Sequence, residues 1–224
     1  MELFYGEYAG HDIDAVITTR ELVKMIRSAH ISPETLEDIE SDRPMQEGTG
    51  AGVIFGATGG VMEAALRTAY HIIKKENPPA DAFKMVRSPG FQENHGVMEA
   101  ELAIDDITVR IAVVSGLGNT RRLLEKIESG EVKYDFVEVM ACPGGCVGGG
   151  GQPIHDGEEW AFERGKNLYC LDQNAKLRFS HENPDIIKLY EEYFGEPVSH
   201  KAHMLLHTDH LDAMARSGIG YETK

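Results

Sequence analysis

Cys142 and Cys146 stand four residues apart in the stretch Glu-Val-Met-Ala-Cys-Pro-Gly-Gly-Cys-Val-Gly-Gly-Gly-Gly-Gln-Pro, residues 138–153. Thiolates at this spacing, on a loop, can turn toward one soft metal centre of the iron–sulfur or zinc kind. Between Gly144 and Gly151 six of eight residues are glycine. Such a run lets the backbone approach a bulky inorganic ligand, since no Cβ intervenes. A free cysteine is often simply buried and inert. Here the glycine and proline context, in a chain with only three cysteines, favours ligation. Two thiolates do not close a tetrahedral zinc site or a cubane cluster, each of which takes four protein ligands as a rule. The remaining ligands must come from histidines, exogenous groups or another polypeptide. The third cysteine, Cys170, is read as a packing residue in a strand-like segment, Asn167–Leu171.

Gly56-Ala-Thr58-Gly59-Gly60 is a second candidate. A glycine turn opening a helix presents free backbone N–H groups to an anion. No Gly-Lys-Ser/Thr follows, so a nucleotide-binding P-loop is not supported. A tight turn packed on a sheet is the rival reading. Met140, two residues before Cys142, is either core filler or an apolar wall that keeps water from a reactive metal. Glu138 reads as a solvent-facing strand residue and Phe55 as core. His200, His203, His207 and His210 would share a helix face and could bind a transition metal; a surface face with incidental histidines is the simpler reading.

The elements needed to position these residues alternate. Ile13–Ile17 is a short apolar run, after which Thr18 and Glu21 form a capping box. Leu22, Met25, Ile26 and Ala29 give the helix that follows one apolar face. Val53–Phe55 reads as a strand. Met62, Ala65, Leu66, Ala69 and Ile73 repeat at helical spacing. Val97–Ile104 and Thr108–Ser115 read as strands, Leu123, Leu124 and Ile127 mark a helix ending at Gly130, and Tyr134–Val139 is a strand feeding the cysteine loop. Trp160–Phe179 is mixed and includes a hairpin. Asn183 caps a helix with Pro184 at its first position, and Ser199 begins a short final one. This order predicts an α/β fold with a mainly parallel sheet, flanking crossover helices and a helical C-terminal tail. Residues 1–182 form the α/β unit and 183–224 the tail. Ligands in such sheets sit beyond the carboxyl ends of strands, where both the glycine turn and the cysteine loop are expected.

At 224 residues the chain can bury one sizeable core. Its net charge of −15 argues against nucleic acid or an anionic membrane as partner. No stretch approaches the roughly 20 apolar residues of a membrane span, and no basic-then-apolar leader opens the chain. Three cysteines are no disulfide scaffold, which points to a reducing cytoplasm.

Residues 138–153 resemble the third signature motif of the [FeFe]-hydrogenases, Glu-x-Met-Ala-Cys-x-x-Gly-Cys-x-x-Gly-Gly-Gly-Gln-Pro. Phe55–Tyr70 is similar to that family's glycine turn and helix beside the catalytic cluster. Thr18–Leu22, Gly116–Asn119, Ser180–Pro184 and Leu205–Thr208 agree as well. The family's two earlier motifs, Thr-Ser-Cys-Cys-Pro and Met-Pro-Cys-x-x-Lys, do not occur here. The chain therefore resembles the carboxy-terminal half of the catalytic domain, one of its two lobes, as a split subunit or a fragment. The family's proton-relaying cysteine and cyanide-binding lysine have no counterpart to assign.

The resemblance implies hydrogen metabolism, the reversible reaction of two protons and two electrons with H₂. It implies a 4Fe–4S cubane joined through a cysteine sulfur to a two-iron unit with CO, CN and dithiolate ligands. Cys142 would ligate the cubane and Cys146 would bridge cubane and two-iron unit. Met140 would pack on that unit, and Thr58, Gly59 and Gly60 would lie against its carbonyl and cyanide ligands. The implied partners are a second polypeptide carrying the missing cysteines and a ferredoxin or other electron-transfer subunit. The alternative is a non-catalytic hydrogenase-like iron–sulfur protein: a sensor, an assembly factor or an inactive partner subunit. In that case a dimer with two cysteines per chain could complete a four-cysteine site.

Overall fold

A computed structural model describes residues 14–40, 42, 45, 47–87, 96–154, 157, 158 and 160–207. Helix α1 (Thr19–Ser28) starts where expected. The Thr18 hydroxyl accepts from the Glu21 amide, and the Glu21 carboxylate accepts from the Thr18 amide at 2.7 Å. Its apolar stripe does not enter the core: no residue of α1 is buried, and Leu22 and Met25 are exposed. The helix is instead tied through its first amide, with Thr19 N–H donating to the Gly150 carbonyl at 2.8 Å. Ile13 lies outside the described residues, and residues 15–18 have no regular structure.

The expected strand Val53–Phe55 is helical. A short helix α2 (Gly50–Val53), capped by the Thr49 side chain, runs into a 3₁₀ turn over Ile54–Gly56. A three-residue apolar run carries no usable period, and the cap decides the conformation. Ile54 is fully buried, while Phe55 is about half exposed rather than core. Helix α3 (Gly60–Lys74) then presents Met62 and Leu66 to the interior.

Strands β1 (Val97–Ile104), β2 (Ile107–Ser115) and β3 (Phe136–Met140) form one sheet in that order. The α/β class is as expected, but the pairing is mixed: β1 and β2 are antiparallel, and β2 and β3 are parallel. The cause is local. Asp105 adopts φ +52° in a two-residue Asp-Asp turn that closes on the pair Ile104 and Ile107, and such turns make hairpins. Helix α4 (Leu117–Glu128) provides the parallel crossover from β2 to β3 and stops before Gly130, whose φ is +75°.

Side chains of β2 alternate between two cores. Ile111 and Val113 pack with Met62, Leu66, Phe83 and Val86. Ala112 and Val114 pack with Leu123 of α4. The sheet is therefore covered on both faces. Truncating a fully buried side chain such as Met62 to alanine costs about 2–5 kcal/mol.

Residues 161–174 are not a hairpin. They form helix α5 (Ala161–Asn174), so the strand expected at Asn167–Leu171 is absent and Cys170 is exposed rather than packed. The helix is fixed by charges that sequence periodicity does not display. Arg67 on α3 donates to both carboxylate oxygens of Asp172 at 2.7 and 2.8 Å and to Glu63 at 2.6 Å. Arg87 holds Glu63 and Asp81, and Arg178 holds Asp172. Asp172 and Glu63 are essentially without solvent contact. The Arg87 guanidinium also lies over the Tyr169 ring at 4.4 Å.

Burial pushes the Asp172 carboxyl up, but the guanidiniums of Arg67 and Arg178 outweigh it and hold the group below the ordinary carboxylate range. A carboxylate with a depressed folded pKa stabilises the fold above its unfolded pKa of about 3.9 and loses that contribution as pH falls through the folded value. Thermal unfolding followed by circular dichroism is expected to show a midpoint that drops below about pH 4. A midpoint flat through that range would show that this ion pair contributes nothing.

The helical tail begins as expected. Helix α6 (Pro184–Leu189) is capped by the Asn183 side chain, which accepts from the Asp185 and Ile186 amides, and it continues as a π-helical turn over Tyr190–Phe194. Helix α7 (His200–Leu206) is capped by Ser199.

Candidate metal–thiolate site

The cysteine loop leaves β3 at its carboxyl end, beside the carboxyl end of β2, where Met140 pairs with Ser115. The Gly116 amide donates to the Met140 carbonyl at 2.7 Å. The chain then folds through tight turns. Gly145 N–H donates to Cys142 O at 3.0 Å, and Gly148 N–H to Gly145 O at 3.0 Å. Gly149 N–H donates to Cys146 O at 3.1 Å. Cys142 is half-buried and Cys146 exposed, on a 3₁₀ turn over Cys146–Gly148. A Cβ on Gly149 would fall 2.5 Å from the Cys142 sulfur. The glycine run thus passes directly over one candidate ligand.

The loop sits on the glycine turn, so the two sequence candidates form one site. Thr58 N–H donates to the Gly144 carbonyl at 3.2 Å. The buried Thr58 and Ser115 hydroxyls lie 3.3 Å apart. Ser115 Oγ accepts from the Gly144 amide at 3.0 Å and donates to the Cys142 carbonyl at 3.4 Å. Gly145 has φ +92°, and a Cβ there would lie 2.6 Å from the Gly56 carbonyl oxygen, so only glycine permits the contact. Ser115 was not singled out from sequence. Its signal is positional, as the last residue of a strand whose parallel neighbour carries the loop.

Glu138 is the larger surprise. It is buried, not solvent-facing, and its carboxylate accepts from Gly59 N–H at 2.7 Å and Met62 N–H at 2.6 Å. Burial lifts the carboxyl above the ordinary range, which the two amides only partly oppose. The acceptor at the N-terminus of α3 is therefore the protein's own side chain. The Gly60 amide donates to Ala57 O at 3.0 Å. The turn follows a 3₁₀ segment rather than a strand, and the amides of Thr58, Gly59 and Gly60 already have protein acceptors. The glycines shape the site by close packing: with φ +88°, a Cβ on Gly59 would lie 1.9 Å from Val86 O, and one on Gly60 would lie 1.7 Å from Ile54 O. Gly59→Ala is therefore expected to lower thermal stability by at least about 1–3 kcal/mol, read from the unfolding midpoint. An unchanged midpoint would remove this account of the turn.

Among the described residues no group of three His, Cys, Asp or Glu side chains is placed to hold a metal ion. His203 and His207 stack at 4.8 Å, and His210 lies outside the described residues. The donor set at the cysteine loop is two thiols on one short turn, half of what a cubane takes from protein.

Fold and site define an α/β protein with a paired-thiol loop at the carboxyl ends of two parallel strands. Residues 2–150 match the family described as iron only hydrogenase large subunit, C-terminal domain, and residues 159–212 match that described as iron hydrogenase small subunit. The chain is 47% identical over 201 residues to the NADP-reducing hydrogenase subunit HndD of Solidesulfovibrio fructosivorans, covering 89% of this chain and 33% of that protein. It superposes on a solved hydrogenase, HydA1 of Chlamydomonas reinhardtii, with TM-score 0.66 at 41% identity, covering 88% of this chain and 55% of the other. It is also 30% identical to cytosolic iron-sulfur assembly component 3 of Bos taurus, over 98% of this chain and 45% of that protein. The chain belongs to the iron-only hydrogenase family. It spans only a third to about half the length of these relatives. Among the described residues no helix is long and apolar enough to cross a membrane.

Proposed function

We propose that the chain is the part of an [FeFe]-hydrogenase that supplies two of the four cysteines around its six-iron centre, in a reducing cytoplasm. The observation carrying this reading is the cysteine loop seated on the glycine turn through Thr58, Ser115 and Gly145, in a chain 47% identical to a hydrogenase subunit. Cys142 and Cys146 would offer thiolates from one turn, the first toward the cubane and the second at the bridge to the two-iron unit. When bound, that unit would supply the open metal position where H₂ forms or is split. Met140, half-buried beside the loop, would keep water from it. Thr58, Gly59 and Gly60 would hold the wall behind it in shape. Electrons would pass to a ferredoxin or another electron-transfer subunit.

H₂ activity is expected to require a second polypeptide that carries two further cysteines. Co-expression with such a chain and the maturation machinery should give carbonyl and cyanide infrared bands together with H₂ evolution. Robust H₂ evolution by the 224-residue chain alone would sink the proposal. A second reading, a non-catalytic iron–sulfur assembly protein, is favoured by the likeness to the Bos taurus assembly component along nearly the whole chain. A visible cluster spectrum without carbonyl and cyanide bands after full maturation would select it.

A further inference from the structure

Arg164 on α5 points its guanidinium at the cysteine loop. One nitrogen donates to the Val147 carbonyl at 3.0 Å and the other to the Pro153 carbonyl. Val147 directly follows Cys146, and Pro153 closes the segment. The two bonds thus pinch together the ends of the Gly148–Gly151 run, the stretch that passes over the Cys142 sulfur. Ala161, the first residue of α5, reinforces the grip. Its Cβ sits where a Cβ on Gly144 would come within 2.6 Å and one on Gly148 within 2.9 Å. Among the described residues no ion pair engages Arg164, whose two bonds go to neutral carbonyls. Arg67 and Arg87, by contrast, are each paired with carboxylates.

We propose that Arg164 is the positioning residue of the thiolate site. Its fork fixes the loop geometry through two carbonyls, and its positive charge would lie beside an anionic metal–thiolate centre. The charge part rests on the iron–sulfur reading given above; the geometric part stands without it. A planar fork holds two carbonyls at fixed separation, and an ammonium cannot. Charge-assisted hydrogen bonds to carbonyls are also among the stronger ones available to a loop.

The two parts separate with Arg164→Met and Arg164→Lys. The first measurement uses the metal-free chain and alkylation by iodoacetamide. Cys170, on the same helix and exposed, is the internal standard. Both variants are expected to raise the Cys142 rate about tenfold relative to Cys170, equivalent to about 1.4 kcal/mol of loop opening. Circular dichroism should stay unchanged. Unaltered Cys142 rates overturn the geometric role. A parallel rise at Cys142 and Cys170 also overturns it, because α5 itself would then have been lost. The second measurement is the reduction potential of the cubane in the assembled holoprotein. Arg164→Met is expected to move it to a more negative value and Arg164→Lys to leave it near the parent value. Equal potentials in all three proteins overturn the charge role. A failure to assemble any cubane would count against the iron–sulfur reading and leave the alkylation result standing.

Discussion

Replacing Cys146 by serine is expected to eliminate the two-iron unit and all H₂ turnover in the assembled holoprotein, because a hard hydroxyl is a poor bridge between soft irons. Replacing Cys142 by serine is expected to damage the cubane instead, with lower total iron and a changed paramagnetic signal. Neither change should unfold the chain. Cys146 is exposed and Cys142 half-buried, and the contacts that fix the loop run through backbone atoms of Gly144, Gly145 and Val147 and through the Cys142 carbonyl. Iron counts and paramagnetic resonance on both variants test the division of labour. Identical iron loss in the two would leave the assigned roles without support. Full activity in either would remove that cysteine from the site.

Arg67→Met is expected to destabilise the fold by about 3–5 kcal/mol, because it strands Asp172 and Glu63 as buried carboxylates with fewer cations. That is a large part of the total stability of a domain, about 5–15 kcal/mol. Urea unfolding should show the midpoint collapse with little change in slope. Removing the carboxylate as well, in Arg67→Met with Asp172→Leu, should recover part of the loss, since the cost lies in the uncompensated charge rather than in the missing pair. A loss below about 1 kcal/mol for the single variant would show that these groups behave as a surface pair.

Local features that depend on neighbours a few residues away were legible in the chain alone. The Thr18 and Glu21 capping box, the Asn183 and Ser199 caps, the α3 and α4 helices, the strands on either side of Asp105-Asp106 and the cysteine loop after β3 were all legible. Each follows from side chains that satisfy nearby backbone groups or repeat with a helical or extended period. The glycine density reads as room for a bulky inorganic ligand, whereas the close contacts it makes here are with the protein's own atoms. Short segments without such signals misled: Val53–Phe55 has too few residues to show a period, and Asn167–Leu171 reads as a strand until Gly165 and Asp172 are seen buried against other elements.

Which distant groups meet follows from the packing of the elements. Glu138 reads as an ordinary polar strand residue and proves to cap α3 across 76 residues. Thr58 and Ser115, 57 residues apart, hold the back of the cysteine loop. Arg67 finds Asp172 across 105 residues, and Arg164 closes the glycine run from a helix that was not expected. The apolar stripe of α1, legible as a packing face, stays exposed among the described residues. The polar contacts share one physical reason. A buried charge or a free amide requires a partner, so its sequence announces a need, but the identity of the partner is set by which elements the sheet and cores bring together.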